Sequence, residues 1–156
     1  MAIGIGYDIH PLKPGRRLVI GGVSIVHPKG LAGHSDADVL VHAICDGLLG
    51  AGGLGDIGRH FPDSDPRYKD ICSLELLKKV ERMVVNKGFR IVNIDATIIA
   101  QKPKLAPYME RMQATIALTL EIAAEQINIK ATTTEGLGII GKESAMAAIC
   151  AVMLDP

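Results

Sequence analysis

Residues 33 to 46 read Gly33-His-Ser-Asp-Ala-Asp-Val-Leu-Val-His-Ala-Ile-Cys-Asp46, and this stretch most narrows what the chain can fold into. It places two histidines, three acids and a serine in one turn and the helix expected after it. Read helically from Asp38, the spacing sets Asp38, His42 and Asp46 at i, i+4 and i+8, along one stripe. Val39, Leu40, Val41, Ala43, Ile44, Leu48 and Leu49 supply apolar surface around that stripe. A polar stripe flanked by core residues costs desolvation unless something pairs with it, and a metal ion is one such partner. Pairing of these residues among themselves is the other.

The 156-residue chain is long enough for one domain, residues 1–156, with a sizeable core. Its 48% hydrophobic content points to surface covered by packing or by a second subunit, and its 3% aromatic content leaves little for stacking on nucleic-acid bases. The formal net charge of zero argues against a long-range field for nucleic acid or an anionic membrane. Cys45, Cys72 and Cys150 form neither a thiolate metal pair nor an even disulfide framework. No run approaches the roughly 18 apolar residues of a membrane span, and the start shows no signal segment. The expected setting is therefore a bacterial-type cytoplasm; a processed plastid-type protein would read the same way.

In chain order, residues 2–10 read as a strand. Asp8 and His10 lie two apart and so share a face, a spacing by which one strand end can offer a carboxylate and an imidazole to one ion. Residues 11–15 read as a turn, and residues 17–20 and 23–26 as a hairpin about Gly21-Gly22. A helix is expected over 38–49, ended by a glycine run through Gly55. Residues 56–65 read as a polar loop, either a solvated surface or a clamp in which Asp56 and Asp63 accept from substrate hydroxyls. Helices over 73–87 and 109–124 and strands over 89–100, 127–132 and 144–154 complete the reading. His27 and His60 read as turn residues, the methionines as core filler, and Arg16-Arg17 and Lys78-Lys79 as solvated pairs. This order predicts an α+β fold, an α/β sandwich with one helical layer on one sheet, the other sheet face covered by oligomerisation.

Asp8-x-His10, the Gly33–His42 segment, Thr132-Thr-Thr-Glu135 and Lys102-Pro-Lys-Leu-Ala-Pro107, in this order, closely resemble the 2-C-methyl-D-erythritol 2,4-cyclodiphosphate synthase family, cyclases of the non-mevalonate isoprenoid pathway. The resemblance runs from Gly6 to Gly141. It implies a mixed four-stranded sheet with helices on one face, and a homotrimer with its sheets around the threefold axis and active sites at subunit interfaces. The implied reaction cyclises 4-diphosphocytidyl-2-C-methyl-D-erythritol 2-phosphate and releases CMP, formally a phosphorus–oxygen lyase step.

By the same resemblance, Asp8, His10 and His42 match zinc ligands, leaving a tetrahedral ion one open position. Glu135 matches the ligand of a second cation, Mg²⁺ or Mn²⁺, bridging the diphosphate, the oxygen-rich setting a hard ion prefers. His34 and Thr133 match catalytic positions. His34 and Ser35 match residues holding the methylerythritol phosphate end, and Asp56, Ile57, Gly58, Phe61 and Asp63 its hydroxyl pocket. Ala100, Lys104, Leu105 and Ala106 match a cytidine pocket, and Thr132 and Thr133 phosphate contacts. Asp46, one turn beyond His42, is placed by spacing as an acceptor orienting the ligand imidazole. Lys142 departs from the arginine common in the bacterial family near the threefold axis; lysine offers a point charge where arginine grips bidentately. An isoprenoid diphosphate in the central cavity, its tail beside Ile139 and Ile140, is therefore an open expectation. A zinc phosphohydrolase and a non-catalytic isoprenoid-diphosphate-binding trimer are the rival readings.

Overall fold

The computed structural model describes residues 1–156. The first strand, β1 (Ala2–Pro14), is longer than the sequence indicates. β2 (Leu18–Ile20) and β3 (Val23–Ile25) form the expected hairpin as a separate two-stranded sheet. β4 (Lys29–Leu31) then pairs antiparallel with the end of β1, Leu12 opposite Leu31. The main sheet therefore has five strands rather than the expected four. The physical reason is that β1 outruns its neighbour: its pairing with the last strand stops at Pro11, and the following three residues pair with β4 instead of turning.

The rest of the chain supplies α1 (Val39–Ala51), a short α2 (Ile57–His60), α3 (Ser73–Asn86), β5 (Arg90–Ile99), α4 (Met109–Leu120), β6 (Ile127–Thr132), a one-turn α5 (Gly138–Gly141) and β7 (Ala145–Asp155). The sheet order is β4-β1-β7-β5-β6, with only β5 and β6 parallel, joined through α4. This is a mixed α+β fold, and no helix is long and apolar enough to cross a membrane.

Two boundaries differ from expectation for local reasons. α4 stops at Leu120 because Glu121 turns left-handed at φ 55°. The Gln113 amide then donates to the carbonyls of Ala124 and Ile127, both at 2.7 Å, and holds the chain that leaves the helix. Ile122-Ala-Ala continues the apolar pattern past that point, so periodicity does not mark the end. The 56–65 loop contains α2 because Asp56 caps it, its Oδ1 accepting from Arg59 N at 2.9 Å.

α1 packs on β1 and β7, α3 on α1, and α4 on α3 and β6. One core runs between helices and sheet, with Leu40, Ile44, Leu48, Ile94, Ile98 and Met112 fully buried. α1 lies unusually close to β1. A Cβ on Gly6 would stand 1.8 Å from the Ala43 carbonyl oxygen, and one on Gly4 2.0 Å from that of Gly47. At these positions backbone meets backbone, and only glycine fits.

Asp38 fixes the helix start. It is the N-cap, accepting from Val41 N at 3.1 Å, while its two oxygens also take the N–H groups of Gly21 and Gly22 at 2.9 and 2.7 Å. Burial pushes its carboxyl up to about 6, against three backbone hydrogen bonds that act the other way. The opposite sheet face carries Ile3, Ile5 and Tyr7, which are 70%, 71% and 53% exposed.

Gly6→Ala should destabilise the protein by about 2–3 kcal/mol, because neither backbone can yield. Gly50→Ala, on the exposed end of α1 with open space around it, should stabilise by about 0.5–1 kcal/mol. Urea midpoints of the two variants against the parent check both signs.

Candidate metal centre and substrate cavities

Asp8 and His10 leave the same face of β1, and His42 descends to them from the first turns of α1. Their ligand atoms all lie within 4.8 Å of one another. Asp8 Oδ2 is 2.8 Å from His10 Nε2 and 3.1 Å from His42 Nδ1, and the two imidazole nitrogens are 3.0 Å apart. This is a compact donor set open to a cavity, not three side chains paired off elsewhere.

Electrostatics favour a positive charge beside Asp8. Burial by itself would raise the Asp8 carboxyl; hydrogen bonds from His10 and His42 outweigh it and hold the group well below the usual carboxylate range. Burial would lower the His42 pKa; the hydrogen bond and charge of Asp8 outweigh it and raise it. The far side of His42 decides which atom faces the cluster. Ser73 Oγ stands 2.8 Å from His42 Nε2 and donates its own proton to the Asp36 carboxylate. A carboxylate only accepts, so Ser73 Oγ is left to accept from His42 Nε2–H. His42 Nδ1 therefore points either a second proton or a lone pair at Asp8. A lone pair facing a carboxylate oxygen at 3.1 Å is repulsive unless a cation lies between them. Two imidazoles and a carboxylate fit a divalent metal ion.

The stripe expected along α1 does not act as one group. Only His42 reaches the cluster. Asp38 is turned into the cap and hairpin clamp described above. Asp46 accepts from Ile57 N at 2.7 Å and so holds α2, while the imidazole-orienting position assigned to it by spacing is held by Ser73. Sequence spacing misses Ser73 and Asp36 because their partners are remote in the chain. The available signal was Ser73 at a helix start, beside a carboxylate-rich turn.

The cluster opens into a cavity of about 490 Å³. His34, Ser35, Ile57, Gly58, Phe61 and Asp63 all line it, so the structure gathers most of the expected methylerythritol-pocket residues around the cluster. Asp56 is not among them and is engaged in capping α2. Phe61 packs edge-on to Tyr68 at 5.3 Å, closing one wall. His34 Nε2 lies 3.3 Å from the Asp65 carbonyl, and Ser35 Oγ lies 3.1 Å from His42 Nε2. His27, in the loop before β4, and His60, the last residue of α2 rather than the expected turn residue, lie within hydrogen-bond distance of the carbonyls of Lys29 and Leu54.

Ala100, Lys104, Leu105, Ala106, Thr132, Thr133 and Glu135 line a second cavity of about 550 Å³. Thr133 Oγ1 donates to Glu135 Oε1 at 2.7 Å, and Glu135 sits in the left-handed region at φ 52°. That conformation costs a non-glycine residue about 1–2 kcal/mol and is common at functional positions. The two cavities share one end of the sheet but not one place. Registers run Asp8–Ala148–Ile98–Ala131 across β1, β7, β5 and β6, which puts them about three strand spacings, roughly 14 Å, apart. Lys142 is exposed, away from both linings.

Residues 1–155 match the YgbB family. A 2-C-methyl-D-erythritol 2,4-cyclodiphosphate synthase of Syntrophomonas wolfei is 56% identical over 155 residues, 99% of each chain. The bifunctional IspDF of Campylobacter jejuni superposes with a TM-score of 0.95 at 46% identity; 98% of this chain is covered and 42% of that one. The CDP complex of IspF from Plasmodium falciparum superposes with a TM-score of 0.88 at 35% identity, covering 99% of this chain and 96% of that one. The resemblance carried by the sequence motifs is borne out.

Because the His42 pKa is raised, its imidazolium stabilises the metal-free fold below the ordinary value of 6.5, and this is lost as pH rises through the higher folded value. A divalent ion must displace that proton. Titration of Zn²⁺ into metal-free protein near pH 7 should therefore release protons, with affinity rising with pH. Calorimetry in buffers of differing ionisation enthalpy measures the release, and His42→Ala should abolish both release and retention.

Proposed function

The chain belongs to the YgbB family, and on that footing we propose that it converts 4-diphosphocytidyl-2-C-methyl-D-erythritol 2-phosphate to 2-C-methyl-D-erythritol 2,4-cyclodiphosphate with release of CMP. The observation that carries this reading is the Asp8–His10–His42 cluster, open to a cavity lined by His34, Ser35, Ile57, Gly58 and Asp63. In the proposed step, an oxygen of the 2-phosphate forms a bond to the β-phosphorus. The bond from that phosphorus to the oxygen shared with the α-phosphate breaks, and CMP leaves with the electron pair. The substrate carries its own nucleophile, so the protein's part is orientation and charge neutralisation.

Asp8, His10 and His42 are the proposed holders of zinc, and Glu135 of Mg²⁺ or Mn²⁺. Such cations, when bound, withdraw charge from the phosphate oxygens and relieve repulsion between the two ends of the substrate. His34 and Ser35 would hold the 2-phosphate end. Ala100 to Ala106 would seat the cytosine, with Lys104 beside it, and Thr132 and Thr133 would donate to the nucleotide phosphates. The CDP complex of the Plasmodium falciparum relative supports a cytidine nucleotide as ligand.

Assembly follows from the same geometry. The proposed step needs the Asp8–His10–His42 ion and the Glu135 ion on one diphosphate, and within one chain their cavities stand roughly 14 Å apart across two intervening strands. The exposed Ile3, Ile5 and Tyr7 form an apolar sheet face suited to burial against copies of itself. Both observations support a homotrimer with sites shared between protomers. Ile139 is 59% exposed, and packing against a neighbouring copy or the tail of an isoprenoid diphosphate would each cover it. The bacterial relatives support a cytoplasmic setting.

Zinc-loaded protein given the cytidyl substrate and Mg²⁺ should release CMP and the cyclic diphosphate in equal amounts. An open-chain diphosphate product would make water the nucleophile and replace this reading with the hydrolase. Glu135→Gln should keep its zinc and shift the Mg²⁺ or Mn²⁺ activation curve to higher concentration. An unchanged curve would remove Glu135 from that role.

A further inference from the structure

We propose that Ser73 and Asp36 are positioning residues for the metal centre, a buried hydroxyl–carboxylate relay that fixes His42 with Nδ1 as its ligand atom. This rests on the reading that Asp8, His10 and His42 hold a divalent ion. Ser73 is wholly buried at the first residue of α3, and its Oγ is the nearest partner of His42 Nε2, at 2.8 Å. Asp36 is tied to the same helix start. It receives the Ser73 hydroxyl proton on Oδ1 and the Ser73 backbone N–H on Oδ2 at 3.1 Å. Asp38 N adds a third, longer bond to Oδ1 at 3.3 Å.

Proton direction along this chain is forced from its far end. Asp36 accepts, Ser73 donates to it, and so His42 must donate from Nε2. Ser35 Oγ, at 3.1 Å from the same nitrogen, already accepts from Ala37 N and is the weaker second partner. With Nε2–H committed, the Nδ1 lone pair is aimed at the position shared with Asp8 and His10. The Asp36 charge, relayed through the hydroxyl, makes that lone pair a better donor to a cation. A relay also limits ring rotation: flipping the imidazole would put carbon where both nitrogens stand, leaving Ser73 Oγ without its donor and the position shared with Asp8 without a ligand atom.

The test uses the purified full-length protein and its uptake of Zn²⁺ and Co²⁺, read by chelator competition and by the visible spectrum of bound Co²⁺. Ser73→Ala should weaken both ions by about 10–100-fold and alter the Co²⁺ spectrum. Asp36→Asn keeps an acceptor for the Ser73 hydroxyl and loses the charge and the acceptor for Ser73 N, so its loss of affinity should be smaller, about several-fold, and it stands in should Ser73→Ala fold poorly. Unfolding curves of the metal-free variants separate this from a structural role, which would lower stability and leave affinity and spectrum at parent values. Folded variants that bind Co²⁺ and Zn²⁺ as the parent does, with the same spectrum, overturn the relay alone. A parent protein that takes up neither ion overturns the metal reading and the relay with it.

Discussion

One helix rests on one strand at backbone distance, and the site exists because of it. Gly4 and Gly6 of β1 face Ala43 and Gly47 of α1 with no room for a side-chain carbon between them. Helices ordinarily stand about 10 Å from a sheet because side chains intervene. Here the missing side chains let α1 settle low enough for His42, one residue before Ala43, to reach Asp8 and His10 two to four residues beyond Gly6. Asp38 holds the same helix from its end, anchored on the hairpin glycines. The cluster is thus placed by main-chain contact and by a buried cap, both stiffer than a packing of flexible side chains.

Around this contact the polar groups sort by what they must satisfy. Asp38, Asp46 and Asp56 all lie near the cavity in sequence, yet each spends acceptor capacity on backbone N–H groups: the α1 cap and hairpin, the entry to α2, and the α2 cap. Asp36 ties the 33–38 turn to the start of α3. Asp8 alone among these acids accepts only from imidazoles, and they hold its carboxyl well below the usual range. Acids that organise the fold and the acid that serves the cluster are distinguished by partner, not by distance from the cavity.

Much of this was legible in the sequence, and for physical reasons. Asp8 and His10 share a face because a strand alternates, and the hairpin follows from Gly21-Gly22 between β-branched runs. The segment at Ile127–Thr132 has the expected bounds because polar residues flank it, Glu125-Gln126 before and Thr133 through Gly136 after. What escaped depends on contacts remote in the chain. β4 becomes a strand only because β1 is long enough to need it. The end of α4 is set by a left-handed Glu121 inside a continuing apolar pattern. The partner of His42 was sought at Asp46, on the same helix, and is Ser73, thirty-one residues along and on another helix. Helical spacing reports neighbours on one element and is silent about which element packs across from it.

The separation of the two cavities along one sheet edge bears on how such a protein can vary. In the proposed trimer each chain lends its metal-holding half to one catalytic centre and its nucleotide-holding half to another. A lesion in either half of a single chain then silences one centre of three, and two differently damaged chains side by side can still assemble an intact one. In that trimer the two halves of this sequence are inherited together yet do not work together, so each must be matched to the other's copy in a neighbour.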